Sequence, residues 1–232
     1  MIPELAAYVY TDVACGRIAD MAPPPQARKY RGADLARRRA DRRERLMDAV
    51  VTLIGESGWE AATVRALATE AGVAPRFVYE GFADVEELAA ATYDELGQRL
   101  VDAATLELTA FPSDLGSASR AAIAAILDRL SEDPRRARFL LTDAPVLAAR
   151  RTALLRLAAR EYAAHATTAG ADVDTAQLEA IGLIVAAGGL ELIRAWLDGS
   201  LTVDTGGLAE LLSASLTTLS QALPQLMHPA PS

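Results

Sequence analysis

The sequence has one cysteine, Cys15, and two histidines, His165 and His228, in 232 residues. A single thiol excludes disulfides within the chain and a cysteine-built zinc site. The histidines lie far apart, the second in a proline-rich tail, so neither a metal nor another cofactor is expected. No stretch approaches the roughly 18 uninterrupted apolar residues that a membrane span needs. Residues 1–20 lack the basic start and long apolar core of a signal peptide. Strand-like alternation and internal repeats are missing, and so are HExxH, GxSxG, the phosphate-binding loop and GxGxxG. The acidic pairs stand at helical spacing on polar faces, where ion pairing and capping explain them. No catalytic residue is expected.

What the sequence has in abundance is alanine and leucine. Hydrophobic residues make up 51% and aromatic ones 5%, a composition that favours helices over sheets. The expected fold class is all-α, and the length allows one large domain or a small one fused to a larger. Residues 1–33 read as a flexible extension: Pro23, Pro24 and Pro25 form a breaker that no helix crosses, and Met21 is a candidate start.

Charge is distributed unevenly. Residues 28–45 carry nine basic and three acidic side chains, a net +6 in a chain of net −8. Residues 83–232 carry 11 basic and 20 acidic ones. A basic end on an acidic body suits a protein of which one end meets phosphate. Arg38, Arg39, Arg42 and Arg43 are the candidates, and guanidinium groups pair bidentately with phosphate. The helix that holds them, from about Leu35 to Ser57, turns apolar in its second half at Leu46, Val50, Leu53 and Ile54. The rear is expected to pack and the front to project.

The stretch Thr63–Glu87, TVRALATEAGVAPRFVYEGFADVEE, organises the rest. Thr63 is a good N-cap. Val64, Leu67 and Ala71 share a helical face, Gly72 suits the left-handed residue that ends the helix, and Pro75 suits the first turn of the next. Val78 and Phe82 are the apolar positions of that second helix, and Ala68 is small enough for a close crossing. Two helices across a glycine turn form a helix-turn-helix, whose second helix enters the DNA major groove. An ordinary helical hairpin has the same spacing. The DNA candidates are Thr63, Val64 and Arg65 at the first helix, then Ala74, Pro75, Arg76, Phe77 and Tyr79 at the second. Arg76 is suited to guanine, Phe77 to a thymine methyl, and Tyr79 and the N–H groups after Thr63 to phosphate.

With its flanks this stretch resembles the N-terminal domain of TetR-type regulators. The resemblance covers residues 35–100 and rests on Gly58-Trp59, Thr63, Ala68, Ala71-Gly72-Val73, Val78-Tyr79, Phe82 and Asp84…Glu87-Leu88. The sequence departs from the family pattern at Gly81, where a histidine or other polar residue is usual, and at Val85, often a lysine. Both positions commonly touch phosphate in the family, and Glu80 adds an acid to the same helix.

Asp84-Val85-Glu86-Glu87 is a capping-box pattern opening a helix to about Thr105. Further helices follow Ser113-Asp114, Asp133-Pro134, Asp143-Ala144-Pro145, Thr175 and Asp204, the last fading at Pro224. Residues 180–197 are apolar nearly all round, and the last helix offers a row of leucines. Gly188, Gly189, Leu208, Leu211, Leu212 and Leu219 are therefore expected at an interface between two copies of the chain, burial within one thick monomer being the alternative. The resemblance implies that the middle helices enclose an effector cavity. Its candidate walls are Tyr93, Leu96, Phe111, Leu127, Leu130, Phe139, Leu147, Leu154, Tyr162, Ile184 and Trp196, with Arg150, Glu161 and His165 as polar contacts.

The expected domains are residues 34–82 for DNA, 83–224 for ligand and dimerisation, and a flexible tail at 225–232. The resemblance implies a cytoplasmic homodimeric repressor that binds a double-stranded DNA operator and is released by a small-molecule effector, with no membrane partner. A helical ligand- or partner-binding protein with weakened DNA affinity is the alternative, supported by Glu80, Gly81 and Val85. An all-α enzyme is the third class.

Overall fold

The computed structural model describes residues 25–227 except Asp172. Cys15, Met21 and His228 lie outside the described residues, as do the start of the expected extension and the end of the expected tail. Among the described residues the regular structure is entirely helical: α1 (Pro25–Ser57), α2 (Val64–Glu70), α3 (Arg76–Gly81), α4 (Val85–Ala110), α5 (Leu115–Glu132), α6 (Pro134–Leu140), α7 (Ala148–Thr168), α8 (Thr175–Leu197) and α9 (Thr205–Met227). Single 3₁₀ turns stand at Trp59–Ala61 and Pro145–Leu147.

The described residues divide into two compact units, 25–40 and 41–227. In the first, α1 begins at Pro25 rather than near Leu35. Proline fits the first helical position, and Ala27, Arg28, Lys29 and Arg31 behind it are good helix formers. Leu35, Arg38 and Arg39 are exposed there.

In the second unit, side-chain carboxylates start the helices that follow. Asp84 accepts from the N–H of Glu87 at 2.7 Å while Glu87 accepts from Ala83 at 2.5 Å, a reciprocal cap. Asp114, Asp133, Asp174 and Asp204 each accept an N–H in the first turn of α5, α6, α8 and α9. Two boundaries differ from the sequence pattern. The helix α4 runs on to Ala110, and α9 continues through Pro224 by less than one turn. A proline that close to a helix end removes one backbone bond without disturbing the body of the helix.

Leu46, Val50 and Ile54 of α1 pack with Leu67, Val78, Phe82, Leu88, Phe139, Leu147 and Leu208 in one continuous core. Glycine permits close helix approach at Gly182 of α8, where an added Cβ would lie 3.0 Å from the Cα of Ala159 on α7. At Gly97 the neighbour is Leu154 of the same α7, also at 3.0 Å. The helix α8 is long and apolar enough, by length and composition, to cross a membrane. Its Leu178 and Ile181 are fully buried, whereas Leu183 and Ile184 remain exposed.

Candidate nucleic-acid interface and interior cavity

The turn between α2 and α3 follows from Gly72, whose φ of +62° is the left-handed conformation. Behind it Val73 donates to the carbonyl of Ala68 at 2.9 Å and Gly72 to that of Thr69 at 3.2 Å, which closes α2 as a Schellman motif. Thr63 caps the other end, accepting from Ala66 at 3.2 Å. Pro75, at φ −52°, leads directly into α3. Leu67, Ala68 and Val78 are buried beneath the crossing.

The outer surface of the crossing carries Arg65, Ala74, Pro75, Arg76 and Tyr79, all exposed, with Tyr79 at 60%. Val64 is half-buried and packs against the core, so it is turned away from that surface. Phe77 is also half-buried, and its ring is occupied: the guanidinium of Arg42 lies 4.7 Å from its centroid and that of Arg76 4.9 Å. Arg42 further stands 3.9 Å from the carboxylate of Glu80. Arg43 lies 5.4 Å over Phe82 and 3.7 Å from Glu95. Arg42 and Arg43 of α1 are thus held by rings and carboxylates. Aromatic faces attract guanidinium groups and restrict their rotamers, which lowers the entropy lost on meeting a phosphate.

The base of this surface is tied to α6. Arg135 donates to the hydroxyl of Thr52 at 2.9 Å and stands 3.9 Å from Asp48, both on α1. Gly55 of α1 lies against the backbone carbonyl of Arg135, where a side chain would collide. Asp133 holds Arg135 by two hydrogen bonds, of 3.1 and 3.0 Å. Burial pushes the Asp133 carboxyl up, but the Arg135 hydrogen bonds and the Arg135 and Arg136 charges outweigh it, leaving it below its ordinary value.

Between α4, α5, α6, α7, α8 and α9 lies a cavity of about 210 Å³. Of the expected wall residues it brings together Tyr93, Leu127, Leu130, Leu154 and Tyr162, with Glu161 among the polar candidates. The others lie elsewhere. Phe139 and Leu147 are spent in the core, and Leu96 and Trp196 pack against it. Phe111 ends α4 at 40% exposure, and Ile184 faces outward. Arg150 is paired with Asp94 at the surface. His165 does not line the cavity, and its Nε2 is buried without a partner.

Sequence reasoning passed over Ser119, Leu140 and Leu141, which also line the cavity. The signal for Ser119 was available, because 119, 122, 123, 126, 127 and 130 form one helical stripe of which it is the sole polar member. Burial drives the Tyr93 hydroxyl up to about 12, against the opposing charge of Arg151, so the group stays protonated. Tyr162 is also raised by burial, offset by its 2.6 Å hydrogen bond with Ser220.

The expected dimer residues divide into two sets. Leu208 is fully buried and Leu212 nearly so within one chain, and Gly189 lies against Leu212. These three belong to the chain's own core. Gly188 and Leu211 are exposed and Leu219 is half-buried. Leu183 and Ile184, not singled out for this role, carry the exposed apolar face of α8.

Residues 46–92 match the family model of bacterial regulatory proteins, tetR family. No curated protein matches the chain in sequence. Among solved structures, the fold is similar to a TetR family transcription regulator from Marinobacter aquaeolei VT8. That pair shares 21% identity and a TM-score of 0.59, over 79% of this chain and 97% of that one. It is similar also to the fatty acid degradation regulator FadR from Bacillus halodurans, at 20% identity and TM-score 0.63 over 75% and 96%. FadR from Bacillus subtilis, solved with stearoyl-CoA, gives 16% and 0.63 over 75% and 96%. At these identities the likeness is one of fold.

Proposed function

We propose that the chain is a TetR-family DNA-binding transcriptional regulator rather than an enzyme, a reading supported by the match of residues 46–92 to that family's model, and that it is a homodimeric repressor released by an apolar small molecule. The observation that carries this reading is the cavity, whose lining is almost wholly aliphatic and whose walls include the helices that support the DNA-binding end. An interior of that kind excludes water and rewards an apolar guest at about 25 cal/mol per Å² buried. That FadR from Bacillus subtilis holds stearoyl-CoA supports a lipophilic effector.

In this reading residues 41–82 form the DNA-binding part and residues 83–224 the ligand-binding and dimerising part. Tyr79 and Arg65 meet phosphate, and Arg76 reads bases from the start of α3. Phe77 keeps Arg42 and Arg76 in place. Two copies associate through Leu183, Ile184 and Gly188 of α8 with Leu211 of α9, and a two-fold dimer sets two recognition helices one DNA turn apart. The protein acts in the cytoplasm.

The test is selection of DNA from a random pool by the purified protein, followed by titration of the selected duplex. A palindromic consensus bound with two chains per site supports the reading. Retention that shows no sequence preference at any salt concentration refutes it.

A further inference from the structure

We propose that the effector is a lipophilic organic cation, an apolar body bearing one ammonium-type charge. The inference rests on the ligand-responsive reading above and narrows its chemistry.

Among the described residues, Glu161 of α7 is the only one lining the cavity that carries a formal charge. The same side chain lines an adjoining open groove between α4 and α7, together with Asp102, Gln98 and Thr109. Among the described residues, no arginine, lysine or histidine lines either space. Arg156 and Arg160, on the same helix as Glu161, are exposed and line neither. A carboxylate or phosphate entering by this route meets two acids and no counter-charge. It loses hydration and gains repulsion, a combination that sites avoid. A cation reverses both terms, because its charge compensates the partial desolvation of Glu161.

Two further features suit the same guest. The side chains of Tyr93 and Tyr162 line the cavity, and aromatic faces attract ammonium groups. The Tyr93 hydroxyl stays protonated, so it adds no second negative charge. Ser119, 2% exposed, lines the cavity with its Oγ lacking any hydrogen-bond partner. A buried hydroxyl in that condition is costly unless a guest satisfies it, and an ammonium N–H can donate to it.

The experiment is calorimetric titration of the full-length protein at neutral pH with octylammonium, octanol and octanoate, which share one apolar body. Octylammonium is expected to bind at least about tenfold more tightly than octanoate. Glu161→Gln should remove that preference and leave octanol unchanged. Ser119→Ala should weaken octylammonium and octanol together. In the wild-type protein, added salt should weaken octylammonium and spare octanol, a readout that needs no variant to fold. Octanoate binding as tightly as octylammonium overturns the proposal. So does an octylammonium affinity indifferent to both Glu161→Gln and salt, or no binding of the three. Operator binding is followed in the same samples. Octylammonium that binds without changing operator affinity refutes the release reading alone. Release by octanoyl-CoA, with octylammonium unbound, refutes the cation assignment alone.

Discussion

Arg135 of α6 donates a 2.9 Å hydrogen bond to the hydroxyl of Thr52 on α1, joining positions 83 residues apart. The same arginine is gripped from behind by Asp133, and its carbonyl fills the space that Gly55 leaves open on α1. The helix α6 continues into Leu140 and Leu141, which line the cavity. Phe139, immediately before them, meets Tyr93 of α4 with ring centroids 6.1 Å apart. One short helix therefore touches both the support of the DNA-binding surface and the wall of the cavity.

The Asp133–Arg135 pair gives this contact a pH dependence. The carboxyl of Asp133 sits below its ordinary value of 3.8 in the folded chain. A depressed carboxyl stabilises the fold above the ordinary value, and the contribution disappears as pH falls through the lowered one. Asp133→Asn keeps a capping side chain but removes the charge, and it should cost about 1–2 kcal/mol at pH 7. Denaturant midpoints of the two proteins should converge below pH 3.8. A gap that persists there assigns the effect to something other than the ionised pair.

On the DNA side, Tyr79→Phe removes only a hydroxyl that is exposed on α3. It should weaken all sequences alike, by about 0.5–1.5 kcal/mol, the worth of one hydrogen bond. Arg76→Ala should instead cost about 1–3 kcal/mol on the selected operator and relax preference at one position. Phe77→Leu should weaken binding with the base preference intact, because it frees the guanidinium groups of Arg42 and Arg76 without removing them. Fluorescence anisotropy on operator and scrambled duplexes separates these outcomes. A changed consensus for Tyr79→Phe contradicts the phosphate role.

Dimerisation is tested by two substitutions that look equivalent in sequence. Ile184→Glu places a charge on the outer face of α8, where the residue is 54% exposed. It should leave the fold intact and give monomer in sedimentation. Leu212→Asp strikes a residue 7% exposed inside the chain, so it should unfold the protein, by about 3–5 kcal/mol. A stable dimer with Ile184→Glu would move the interface off α8.

That contrast marks where the sequence stopped being readable. Helix starts were legible because Asp84, Asp114, Asp133 and Asp204 announce themselves by capping chemistry. The α2–α3 crossing was legible because Gly72 and Pro75 each permit what other residues resist. The helix α8 was not, since a helix apolar nearly all round has no periodic stripe to say which side faces inward. Leu208 and Leu212 of α9 were then assigned to a partner although their own chain buries them. Phe139 and Leu147 failed as wall residues for a related reason: an apolar side chain suits a core and a cavity equally well, and only the fold decides. The hold of Arg135 on Thr52 depends on a contact across 83 residues, which local spacing does not encode.

The last prediction concerns the coupling between guest and DNA. A guest that fills the cavity presses on Tyr93 and Leu100 of α4, on Leu140 of α6 and on Leu141 at its end. The helix α4 begins at Val85, immediately after the DNA-binding crossing, so it carries any shift back along its length. The helix α6 carries it through Arg135 to Thr52 and Asp48 of α1. Release requires the guest to prefer the geometry that DNA does not, and by linkage the operator must weaken guest binding by the same factor. Thr52→Val deletes the acceptor of the Arg135 bond while nearly preserving volume. If the α6 route contributes, this change should shrink the guest-induced loss of operator affinity several-fold, a coupling change of about 1 kcal/mol. Guest affinity in the absence of DNA and dimer stability should stay as in wild type. Leu96→Ala should act on the other route, since Leu96 of α4 packs against the core without lining the cavity. The two substitutions together should then reduce coupling by more than either alone. Operator titrations with and without saturating guest, for wild type, both single variants and the double, give the four numbers required. Undiminished coupling in the double variant places the transmission outside α4 and α6.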